Sequence, residues 1–413
     1  MSKFKRSALL GLICLFGVVL WGWIGFAQAP QPSIRLTTSP IASQMRPFEA
    51  EAIHPQNPVQ LSLQALDSAG QALKNTQIHL QLLTPPATPW FTTDFPIVEG
   101  TTLLDMTAVA PVGKLEWQQM LPIRGNYQLQ VEVTPTIPNS FAPIQQTLTL
   151  TVPESWVKYR NLGILVTILL AAGLVGGWII GSGQPLKPGE IAPQRVRLLL
   201  NSAIVVAIAA LLWVNISAEL PPSQGAIVAS AQTEHVHADH THTEHSHTTS
   251  EPSAKQSAQW ESQGLEMKLS GTKTTMVGQL TNLQVDLIDT KTQQPVTDVN
   301  LRIKAKPKED EWVAFAYQGM PNSAGKFTWQ EQFFDGAPHI VEVEVTPQVG
   351  SKRQFQSFQV TQTIDVEGVA PPLWIRLISL AYLTICVVVG LLLGLWLQWR
   401  RQANKRDWQR RFS

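Results

Sequence analysis

The chain has 413 residues, 44% of them hydrophobic and 15% charged, with 31 basic against 30 acidic side chains and a formal net charge of +1. A balance so near zero gives no support for a nucleic-acid partner. The only two cysteines, Cys14 and Cys386, both lie inside apolar runs, so no disulfide framework holds the rest together.

Residues 1–29 open with Lys3, Lys5 and Arg6, continue as a charge-free apolar run over 8–26, and end in Ala27-Gln28-Ala29. A signal peptide and a membrane anchor share this layout. The run is longer than the 7 to 15 residues of a signal core, and Pro30 would come directly after the cut, so a retained transmembrane anchor is expected. Either outcome exports the segment that begins at Pro30.

Residues 30–157 alternate with period two. Leu61, Leu63 and Ala65, then Ile78, Leu80 and Leu82, then Tyr127, Leu129, Val131 and Val133 are interleaved with polar residues, as in half-buried strands. Proline and glycine punctuate the runs, and 146–152 supplies a last strand. Roughly seven short strands in ~100 residues suggest an immunoglobulin-like sandwich, with edges open to a partner or a sister domain. His79 should face solvent. His54 precedes the first strand, where Met45 and Met106 would form a soft copper site only if the fold brought them together.

A second transmembrane helix is expected over 158–182, a cytoplasmic loop over 183–197, and a third helix over 198–216. Gly173, Gly177 and Gly181 repeat at four residues in the second, and Ala203 and Ala207 echo them in the third. Small residues at that spacing let helix backbones approach closely.

Residues 217–259 are polar and poor in large apolar side chains, the composition of a disordered linker. Within them, His235, His237, His240, His242, His245 and His247 form a repeating H-x-H-x-x pattern, with Asp239 and Glu244 in the gaps. Neutral imidazole suits zinc, nickel or copper, and carboxylates can complete the shell. Neither strand nor helix keeps these ligands on one face, so a flexible tether that wraps a metal is expected. A mobile loop cannot hold an open coordination site, so binding is favoured over metal catalysis. Imidazole protonation should weaken the site below about pH 6.5.

Residues 260–370 repeat the first exported segment. Gly113-Lys114 and the LEWQ after it match Gly325-Lys326 and FTWQ, and VEVTP at 131–135 recurs at 343–347 with the same offset. Upstream, 61–67 parallels 283–289, and both copies end in a tryptophan that leads into a span, Trp156 or Trp374. A fourth transmembrane helix over 371–398 carries Gly390 and Gly394, and residues 399–413 form a basic tail. If every run spans, the basic flanks of 1–29, 183–197 and 399–413 fall on one side, which marks it as cytoplasmic. The expected architecture is therefore two exported all-β sandwiches and four transmembrane helices in an internal duplication, in a bacterial inner membrane with both large domains periplasmic.

The Asp-turn after the first strand (Asp67, Asp289), the tryptophan of the central strand (Trp117, Trp329) and the G-x-Y-x-L-x-V run at 125–131 resemble the YtkA-like and FixH-like bacterial membrane-anchored β-sandwich proteins. The second copy departs from the last motif, reading Gly336-Ala337-Pro338-His339-Ile340. The resemblance implies handling of copper or another metal, or assembly of metal-containing membrane complexes, without enzymatic activity.

No charged residue or histidine lies within the apolar runs 8–26, 162–181, 198–216 and 377–397, which argues against a transport path. No nucleophile elbow, phosphate loop, H-E-x-x-H helix or C-x-x-C pair is present, and Glu309, Asp310 and Glu311 read as a solvated loop among lysines. Two functions fit these features. The first is a non-enzymatic membrane protein that binds or buffers a zinc, nickel or copper ion through the His tract and presents it to a membrane-protein or metalloprotein partner. The alternative is a structural or assembly subunit whose tandem domains dock onto a partner complex.

Overall fold

Alternating sequence becomes alternating burial. The computed structural model describes residues 31–49, 56–88, 93–182, 196, 257–348, 350, 351 and 353–412. The first copy contributes β1 (Ser33–Ser39), β2 (Val59–Leu66), β3 (Thr76–Leu83), β4 (Thr102–Ala110), β5 (Lys114–Gln119), β6 (Gly125–Pro135) and β7 (Ile144–Val152). The second contributes β8 (Ser257–Ser262), β9 (Leu265–Gly271), β10 (Thr274–Met276), β11 (Leu280–Asp289), β12 (Val299–Pro307), β13 (Phe315–Gly319), β14 (Lys326–Gln332), β15 (His339–Pro347) and β16 (Phe358–Glu367). Strand β8 begins inside the stretch 217–259 that composition assigned to a linker, because Trp260 there stacks on Phe358 at 3.5 Å. The strands of the second copy thus start before residue 260.

The copies do not form two separate sandwiches. One eight-stranded sheet runs β1-β2-β5-β13-β12-β15-β16-β10, and the other runs β7-β6-β3-β4-β14-β11-β9-β8, so each sheet draws strands from both copies. The joins are antiparallel and short: Trp117↔Tyr317, Gln118↔Ala316 and Gln119↔Phe315 in the first, Met106↔Trp329, Asp105↔Gln330 and Leu104↔Glu331 in the second. The duplication relates them, since the offset that carries Trp117 to Trp329 also carries Gln119 to Glu331. In an isolated copy β4 and β5 would be bare edges with unpaired N–H and C=O groups; here each copy covers the other's.

The inner faces make one continuous core. Trp117, Trp329, Tyr127, Phe315 and Phe327 are its largest fully buried side chains. The turns that precede β5 and β14 need glycine: Gly113 and Gly325 sit at φ +68° and +69°, and a Cβ there would strike the carbonyls of Leu73 and Leu287. Asp67 and Asp289 close the turns after β2 and β11, each accepting two backbone N–H bonds at 2.8 and 3.0 Å respectively.

Each copy ends in a helix, α1 (Trp156–Ile180) after β7 and α2 (Leu373–Phe412) after β16. Both are long and apolar enough to cross a membrane. α2 continues through the basic residues that follow 399, as far as Phe412. The apolar runs 8–26 and 198–216, and the loop 183–195, lie outside the described residues.

Candidate functional site

The His tract, with Asp239 and Glu244, lies outside the described residues, as does His54. Among the described residues no group of three or more His, Cys, Asp or Glu side chains could hold a metal ion. Met45 and Met106 are both buried in the core, so they present no soft ligands to solvent. His79 is half-exposed, as strand alternation predicts, and its Nε2 lies 2.9 Å from Asp105 Oδ1.

His339 does not lie on an exposed hairpin. It is the first residue of β15 and buried, with its ring against Phe333 at 4.6 Å and edge-on to Trp312 at 6.1 Å. Its Nδ1 lies 2.7 Å from the Ala337 carbonyl, which requires the proton on Nδ1. Burial pulls its pKa down to about 4, so the ring is neutral near pH 7. The duplication explains the position, because His339 stands where the first copy has Tyr127. The Tyr127 hydroxyl donates to the Ile123 carbonyl at 2.7 Å and accepts the Ile123 N–H at 3.0 Å, a tyrosine corner. Burial keeps that phenol un-ionised by raising its pKa.

Around His339 an aromatic cluster bridges the copies. Phe48 packs on Trp312 at 4.6 Å and on Phe334 at 5.3 Å, and Phe95 meets Phe334 at 5.5 Å. The same end of the sandwich is tied to α1. Arg124 donates to the buried Glu154 carboxylate at 2.6 Å just before the helix, and Lys158 in its first turn pairs with Asp94.

Below the sandwich the helices pack in parallel along their glycines. A Cβ on Gly173 would overlap the Val387 carbonyl and lie 3.1 Å from Gly390 Cα; one on Gly177 would overlap the Leu391 carbonyl. Reciprocally, Gly390 and Gly394 face the carbonyls of Leu170 and Leu174. At Gly181 the contact is side-chain, with Gln398, and Gln402 donates to the Gly181 carbonyl at 2.9 Å. Only residues without a side chain permit such an approach. Each helix carries a tryptophan near both ends of its apolar stretch, Trp156 and Trp178 in α1, Trp374 and Trp396 in α2. At 1.5 Å per residue each pair is separated by ~33 Å, close to the ~30 Å hydrocarbon thickness that interfacial aromatics bracket. Arg400 lies over Trp396 and Arg401 over Trp178, at 4.3 and 4.5 Å.

The feature least visible in the sequence is Glu331, at the join of β14 and β4. It is 1% exposed, its side chain shares the inner face with Phe327 and Trp329, and its Oε2 has no hydrogen-bond partner among the described residues. Burial pushes its carboxyl up to about 8, an effect that the Trp329 indole partly offsets. Only the alignment of the two copies, which sets Glu331 against Gln119, would have drawn notice to it.

No family model matches the chain, and no curated protein matches it. Solved structures match distantly. Trypsin-activated alpha-2-macroglobulin from Escherichia coli aligns at 10% identity and a TM-score of 0.20, over 82% of this chain and 16% of that one. The adhesin InvE from Yersinia pseudotuberculosis aligns at 9% and 0.17, over 81% of this chain and 60% of that one. Latent PorU from Porphyromonas gingivalis aligns at 10% and 0.22, over 83% and 25%. Likeness at this level carries no argument, and the architecture rests on the chain's own strands.

Proposed function

We propose that the chain is a non-enzymatic, membrane-anchored metal-capture protein. Its His tract binds a zinc, nickel or copper ion on the periplasmic face of a bacterial inner membrane. The double sandwich is the platform whose second copy follows the tract in the chain, and the ion passes to a membrane-protein or metalloprotein partner. The observation that carries this reading is the tract: six imidazoles and two interleaved carboxylates, within residues 235–247, just ahead of β8. Fused sheets and a glycine-packed helix pair support the platform role, since both restrict relative motion of the copies. The test is the metal content of the full chain, purified from membranes grown with each metal, beside a variant with all six tract histidines changed to alanine. Near-stoichiometric metal lost in the variant is expected; equal trace content in both would remove the metal from the function.

A second reading, an assembly subunit for a membrane complex, is favoured by the helix surfaces. Outside the glycine stripe, Leu162, Leu165 and Ile168 of α1 and Leu377, Ile385 and Leu392 of α2 are exposed, ready for lipid or for a partner's helices. Stable co-purification of a larger complex with a metal-free tract would select this reading.

A further inference from the structure

We infer that Glu331 is a proton-operated lock on one of the two joins between the copies: its neutral acid holds β14 against β4, and its ionisation releases that join while leaving the other intact.

The ladder at each join is short. Three residue pairs carry the second sheet across the duplication, with the Val109↔Met320 bridge and the Thr101–Gln332 side-chain bonds beside them, and Glu331 is in one of the three, opposite Leu104. On its other side β11 places Thr281 opposite Glu331. Thr281 is also 1% exposed, and its Oγ1, like Glu331 Oε2, lacks a partner among the described residues. A carboxylate here would be a charge without a counter-charge. The strands paired with β14 offer none on their inner faces: β4 presents Leu104 and Met106, and β11 presents Leu283 and Val285. Tyr317 of β13 and His339 of β15 are buried titratable groups of the other sheet, and burial holds both neutral near pH 7. The nearby charges, Asp105, Asp286 and Lys326, sit on the outer face, where Lys326 pairs with Asp286.

The internal duplication supplies the control. At the first join the same position is Gln119, equally buried, whose amide Nε2 lies 3.3 Å from the Ala314 carbonyl of the other copy. A neutral donor therefore serves at that place. The protonated carboxylic acid of Glu331 is the nearest equivalent, with one O–H to donate, whereas the carboxylate has none. Ionisation turns a tolerable buried acid into a buried charge with no counter-charge, which opens the short ladder to water. One join of this protein is thus proton-sensitive and its twin is not.

Backbone hydrogen exchange on the full chain in lipid nanodiscs, from pH 6 to 9.5 and corrected for intrinsic exchange chemistry, tests this directly. Protection of the amides of 104–106 and 329–331 should fall by up to about tenfold per pH unit as pH rises toward about 8 and level off above it, while 117–119 and 315–317 stay flat. Glu331→Gln should abolish the fall. A flat response at 104–106 and 329–331 in the natural chain, or the same fall in Glu331→Gln, would overturn the lock. Should Glu331→Gln fail to fold, Gln119→Glu carries the test, since it should transfer the pH dependence to 117–119 and 315–317; no transfer would equally overturn it.

Discussion

Tyr127 and His339 occupy equivalent places in the two copies and satisfy them differently. Tyr127 closes its corner with two hydrogen bonds to Ile123, so Tyr127→Phe leaves a buried N–H and C=O without that partner. A loss of about 1–3 kcal/mol is expected, read as a lowered midpoint in denaturant unfolding of the double sandwich. His339 closes its corner with one bond and depends on staying neutral. Its folded pKa, about 4, lies below the ordinary 6.5, so the unfolded chain takes up the proton first as pH falls. Its contribution is complete above 6.5 and is lost progressively as pH drops toward 4. Glu331 has the opposite sign: with a folded value of about 8 against an ordinary 4.5, its contribution is complete below 4.5 and is lost as pH rises through 8. Melting temperature should therefore sag at both ends of the range. His339→Tyr, which restores the tyrosine of the first copy, should flatten the acid side alone; an unchanged acid profile would remove His339 as its cause. Neither role was legible from local pattern. A histidine ahead of a strand reads as exposed until the copies are aligned on VEVTP, and a single glutamate in FTWQEQ reads as solvated until the register turns it inward.

At the scale of elements, the strands were legible because alternation of side chains is a local property, as β2 and β3 show with a buried residue at every second position. The glycine spacing was legible for the same reason, although its partner was not. The structure supplies that by setting Gly173 and Gly177 against Gly390 and Gly394. Replacing Gly177 by leucine puts a side chain onto the Leu391 carbonyl, and overpacking of this kind costs about 1–3 kcal/mol. Cysteines placed at Leu174 and Leu391 should cross-link in membranes of the otherwise natural chain and fail to do so with Gly177→Leu. Undiminished cross-linking would mean that the helices approach along another face.

At the scale of the whole molecule, the duplication announces two domains, and the chain builds one body. The joins were hidden because edge-to-edge pairing depends on how two folded copies present β4, β5, β13 and β14, which no window of sequence encodes. Each copy expressed alone, as 31–157 or 257–370, would expose a broken sheet edge on both faces of its core, so each should be aggregation-prone or molten while their co-expression restores cooperative unfolding. Two independently stable halves would contradict the fused architecture. The same continuity dictates that metal binding be measured on the full chain. The most direct test of the proposed function is calorimetric titration of that chain in nanodiscs with zinc, nickel and copper at pH 7.5 and 5.5, beside the six-histidine-to-alanine variant. Metal capture by the tract predicts micromolar or tighter binding at pH 7.5 that weakens sharply at 5.5 and vanishes in the variant. Equal, weak heats from both proteins at both pH values would contradict it and leave the double sandwich and its helix pair as a scaffold for assembly.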